Sequence, residues 1–76
     1  MIYSREVIEA VLVIEGADLS WVYKNGRPTK DQLPVRDVVD AALLKLQNAG
    51  LNMARVGRVF GLCEKTVDRA LARARA

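Results

Sequence analysis

Two glycines four residues apart, Gly57 and Gly61, sit within and between two short helical patterns in the C-terminal third of the chain. Met53 to Phe60 and about Glu64 to Arg75 both repeat apolar residues at steps of three and four. Two helices joined through so short a turn need a residue tolerant of positive φ between them, and Gly61 supplies it. They also need a small residue where they cross, which is Gly57. Apolar groups must plug the angle between them, and Val56, Phe60, Leu62, Val67 and Ala70 fall at those places. A helix-turn-helix unit is therefore expected, with Gly57, Gly61 and Val67 among its structural positions.

The upstream pattern supports a small, mainly α bundle. The 76 residues make one domain, and a chain this short has little core to hold a monomer together. With 51% hydrophobic and 28% charged residues, it is neither disordered nor collagen-like. Ser4 is placed to cap a helix over about 4–15, with Val7, Ile8, Val11, Leu12 and Ile14 on one face and Gly16 as its stop. The β-branched run Val11-Leu12-Val13-Ile14 leaves a strand open as the alternative. A clearer helix starts at Pro34 and carries Val35, Val38, Val39, Ala42, Leu43, Leu46 and Ala49. Gly50 is placed as its left-handed cap, with Leu51 folding back and Asn52 capping the next helix.

Residues 17–33 are the least regular stretch. Trp21-Val22-Tyr23 reads as a short extended piece, around 21–27, that enters an Asn25-Gly26 turn, and Pro28 bars a regular returning strand. Two readings stand for it: a connector that drops Trp21 onto the core, or a basic arm presenting Lys24, Arg27 and Lys30 to phosphates.

Charge divides the chain. The net charge is +3, yet residues 52–76 hold six basic side chains against two acidic ones, while residues 1–51 are slightly acidic. The basic end is suited to a polyanion. With no histidine, a histidine-based nucleophile system and any histidine metal site are excluded. A single cysteine, Cys63, forms neither an internal disulfide nor a cysteine zinc cluster, and is read as a small turn residue rather than a redox group. No basic leader precedes the apolar N-terminal stretch, and no run approaches the roughly 18 apolar residues of a membrane span. The expectation is a cytoplasmic chain, not an enzyme, with no cofactor, no metal and no membrane partner.

The stretch Gly61-Leu62-Cys63-Glu64-Lys65-Thr66-Val67-Asp68-Arg69-Ala70-Leu71-Ala72-Arg73-Ala74-Arg75 resembles region 4 of sigma factors and the related LuxR-type helix-turn-helix. Those families show a Gly-Val-Ser turn, a Thr-Val pair and a Leu followed by Arg-Ala-Arg. Leu33-Pro34, Leu43-Leu44 and Ala49-Gly50-Leu51 are similar to the helix that precedes the motif, so the resemblance covers about 33–75 and leaves 1–32 outside it. Three positions depart from the pattern: Cys63 replaces the common capping Ser, Asp68 stands where a basic or polar residue is frequent, and Ala70 where Arg often precedes the Leu.

The resemblance implies a recognition helix in the major groove of double-stranded DNA. Its outer face would be Cys63, Glu64, Lys65, Asp68, Arg69 and Ala72. Lys65 and Arg69 would donate to guanine, and Glu64 or Asp68 would accept from cytosine. Arg55, Arg58, Thr66, Arg73 and Arg75 would contact phosphates. The plainer alternatives are solvated surface charges, ion pairs of Glu64 and Asp68 with Lys65 and Arg69, and cations favoured at a helix C-terminus for Arg73 and Arg75. The expected function is a small sequence-specific DNA-binding transcription regulator, with repressor among the expected roles, of a size typical of phage or plasmid regulators. Because one recognition helix makes few contacts, it is expected to act as a homodimer through residues 5–14. The alternative is a small phage-type protein that binds RNA polymerase or a sigma factor, using the acidic N-terminal half.

Overall fold

The computed structural model describes residues 3–24 and 27–76, and among them the chain forms five helices and no strand. They are α1 (Arg5–Gly16), α2 (Leu19–Val22), α3 (Gln32–Asn48), α4 (Met53–Phe60) and α5 (Glu64–Arg75). α3 is the central rod, with α1 and α5 packed along it and α2 against its start. None of these helices is long and apolar enough to cross a membrane.

Four of the five helices, all but α5, start where the sequence offers an acceptor for the free amides of the first turn. Ser4 Oγ accepts from the Val7 N–H at 3.4 Å, and Asp18 Oδ1 from the Trp21 N–H at 3.3 Å. Asn52 Oδ1 accepts from the amides of Ala54 and Arg55 at 3.0 and 3.2 Å. α3 begins earlier than Pro34, because Thr29 and Gln32 form a reciprocal capping box. The Thr29 hydroxyl accepts from the Gln32 N–H at 3.3 Å, and the Gln32 amide oxygen accepts from the Thr29 N–H at 2.6 Å. Asp31, just before Gln32, already has helical backbone angles and makes no side-chain cap, so the capping is done by Thr29. Gln32 also donates through Nε2 to the Trp21 carbonyl at 2.8 Å, which ties the connector to α2 and explains why this polar residue is buried.

The region 19–23 differs from the extended reading. Leu19–Val22 is a single helical turn capped by Asp18, and local amide bonding to Asp18 outcompetes the strand preference of Trp-Val-Tyr. Trp21 does not drop onto the core either: it stays 40% exposed, while Val22 is buried in its place. The Asn25-Gly26 turn lies outside the described residues. Gly16 also differs, being the last residue of α1 rather than the residue that follows it.

The core is the convergence of Val7, Ala10 and Ile14 from α1, Val39, Ala42, Leu43 and Leu46 from α3, and Val67, Ala70 and Leu71 from α5, joined by Val22 and Val56. The expected α1 face is only half used. Val7 and Ile14 point inward, whereas Ile8 and Leu12 are exposed. Val35 and Val38 on α3, and Ala49 just after it, likewise stay at the surface. The α3–α4 corner is closed by Gly50 at φ +89°, whose N–H donates to the Gln47 carbonyl while Leu51 N–H reaches the Leu46 carbonyl.

Candidate nucleic-acid interface

α4 leads into α5 through a turn closed by two backbone hydrogen bonds. Gly61 takes φ +73°; its N–H donates to the Arg58 carbonyl at 3.3 Å and the Leu62 N–H to the Gly57 carbonyl at 2.7 Å. This pair of bonds is the Schellman closure of a helix, and it needs a left-handed residue at Gly61. Gly57 matters for another reason. A Cβ there would lie 3.1 Å from the Leu62 carbonyl oxygen and 3.1 Å from a Val67 methyl, so the turn and α5 pack directly on the α4 backbone. Val56, Val67 and Ala70 are buried around that contact, with Phe60 and Leu62 half-buried beside them.

α5 opens at Cys63, whose extended backbone precedes Glu64 and whose thiol caps no amide. The thiol lies 3.0 Å from the Thr66 hydroxyl, and that hydrogen bond holds the Cys63 pKa below the usual thiol value. Val67, Ala70 and Leu71 fix one side of α5 to the core. The opposite side presents Glu64, Lys65, Asp68, Arg69 and Ala72, all exposed. Arg55 and Arg58 are exposed on α4. Glu64 and Asp68 do not pair with Lys65 or Arg69: the only ion pairs among the described residues are Arg5–Glu9 and Arg73–Asp40. The outer face of α5 therefore keeps two cationic donors and two carboxylate acceptors free.

Two candidate phosphate contacts have other tasks. Arg73 turns inward, its Nε donating to Asp40 Oδ2 at 2.8 Å and its Nη2 to Oδ1 at 3.3 Å. The Tyr23 hydroxyl donates to the same Oδ1 at 2.6 Å, so the carboxylate of Asp40, 1% exposed, is held from two sides. Burial and then the Asp40 bond push the Tyr23 phenol well above its ordinary pKa, and the Asp40 bond raises that of Arg73. Arg73 is thus a link between α5 and α3 rather than a free surface cation. Arg75 donates to the Gln47 side chain and ties down the end of α5. Thr66 is half-buried and bonded to Cys63, at the edge of the face rather than on it.

Apolar periodicity alone does not single out the polar residues inside α3. Gln32, Arg36 and Asp40 recur at steps of four, on a stripe that interrupts the apolar repeat. That spacing was the available signal: Gln32 and Asp40 are buried, and Arg36 is half-buried with its Nε enclosed. No family model matches the chain, and neither a curated protein nor a solved structure matches it.

Proposed function

We propose that α5 is a recognition helix that enters the major groove of double-stranded DNA, and that the chain is a sequence-specific transcription regulator. The observation that carries this reading is the division of α5 into a side locked on the core and an exposed side whose charges are unpaired. Lys65 and Arg69 are donors of the kind that read guanine O6 and N7, and Glu64 and Asp68 are acceptors for cytosine N4. Ala72, without a long side chain, lets the helix lie close to the bases. The face itself balances two positive against two negative charges, so nonspecific attraction must come from beside it. Arg55 and Arg58 on α4 are the exposed cations available for phosphates. The resemblance of residues 33–75 to sigma region 4 points the same way.

The working unit in this reading is a homodimer in the cytoplasm. Ile8 and Leu12, one turn apart on α1, leave an apolar strip in solvent that a second copy would cover. Titration of labelled duplex at several salt concentrations tests the DNA reading. Binding whose logarithm falls linearly with the logarithm of salt, and which weakens in Arg55→Ala and Arg58→Ala on all duplexes alike, is the expected result. Co-purification with RNA polymerase and no duplex binding would favour the protein-binding alternative.

A further inference from the structure

The side of α5 away from α4 borders a cavity of about 220 Å³ that shares Arg69 with the recognition face but otherwise lies outside it. Its walls bring together three parts of the chain: Tyr23 and Lys24 after α2, Arg36 of α3, and Thr66, Arg69 and Arg73 of α5. Four cationic residues thus converge on one small space. Arg73 is neutralised by Asp40, but Lys24, Arg36 and Arg69 have no carboxylate within 4.0 Å among the described residues. Arg36 is the least ordinary of them. Its Nε is buried and has no hydrogen-bond partner, although a guanidinium N–H withdrawn from water normally keeps one. Arg36 and Arg73 both also lie near enough to the Tyr23 phenol for their charge to act on it.

We infer that this cavity is a binding site for a phosphate group, with Arg36 and Lys24 as its charged ligands and the Thr66 hydroxyl as a further donor. A dianionic or monoanionic oxyanion matches the two unneutralised charges of Lys24 and Arg36, and a planar guanidinium suits its oxygens. The volume lies below the range of about 300–1,000 Å³ typical of cofactor-sized pockets, which fits a single phosphate group. Two sources carry that chemistry: a free phosphate, or a phosphate of the DNA backbone seated beside α5. The second source rests on the proposed DNA reading, and the first does not.

The test follows the Arg Nε–H resonances of the intact protein by NMR during addition of inorganic phosphate, with chloride added to equal ionic strength as the control. A saturable shift of Arg36 with phosphate alone, weakened at least tenfold in the surface variant Lys24→Gln, and a phosphate shift of the Arg69 and Arg73 resonances weakened likewise in Arg36→Gln, are the expected results. No saturable shift overturns the site for free phosphate. Duplex DNA is then titrated against wild type and Arg36→Gln. If the backbone is the source, Arg36→Gln weakens all duplexes equally and lowers the salt slope by about one. If free phosphate is the source, duplex affinity is unchanged. Duplex binding with base preference, but no phosphate shift and no effect of Arg36→Gln, overturns the pocket and leaves the recognition helix standing. Phosphate binding without any duplex binding does the reverse.

Discussion

Asp40 is the residue on which the position of α5 depends most. It is a buried carboxylate answered by one guanidinium and one phenol, and both partners come from other elements. Removing a partner from a buried pair leaves an uncompensated charge, which typically costs about 3–5 kcal/mol. Arg73→Ala should therefore lower the midpoint of chemical denaturation in the absence of any DNA. An unchanged midpoint would return Arg73 to the surface set. Tyr23→Phe removes a neutral donor and should cost about 1 kcal/mol. The pH dependence has a definite sign. Because the phenol pKa is raised in the fold, its contribution is complete below the ordinary value of 10.0 and is lost as pH rises beyond it. Denaturation midpoints measured from neutral to alkaline pH should fall above that value in the parent and fall less in Tyr23→Phe. Parallel curves for the two proteins would remove Tyr23 as the cause.

At the scale of elements, the α4–α5 turn is the most exacting piece. Gly61→Val forces a β-branched residue into the left-handed region, a cost of about 1–2 kcal/mol or more. Gly57→Leu must displace the Leu62 carbonyl, a backbone atom that cannot swing aside, at a cost of about 1–3 kcal/mol. Thermal melting should show both losses, and melting like the parent would contradict the turn geometry. This turn was legible in the sequence because glycine offsets and apolar plugs act locally. The helix caps at Ser4 and Asn52 were legible for the same reason. What escaped was tertiary. Whether Trp21 or Val22 turns inward depends on where α3 lies. The burial of Gln32 and Asp40 depends on partners 11 to 33 positions away. The Thr29–Gln32 capping box was local and visible, but Pro34 drew the start of α3 past it. For the candidate site, helical periodicity sorted the faces of α5 correctly. Periodicity does not reveal that Arg73, at the border of a face, has a buried carboxylate to reach.

For the whole molecule, a radius of gyration of 11.8 Å is close to the roughly 11 Å expected of a compact domain of this length. The single chain is therefore already closed, and a partner would cover its surface rather than complete its core. Leu12, 60% exposed, lies outside that core, so Leu12→Glu should leave the fold intact and act on association alone. Sedimentation at micromolar concentration should give two chains for the parent and one for the variant, with similar helical content. A parent that stays monomeric would remove the argument for paired half-sites. The central question for the molecule is whether α5 reads sequence. The most direct measurement is selection of bound duplexes from random DNA, followed by titration of Lys65→Ala and Arg69→Ala on the selected site and its single-base variants. The account predicts one enriched sequence, with each variant losing about 1–3 kcal/mol on it and relaxing preference at one base position. No enriched sequence, or equal weakening on every duplex, would contradict it.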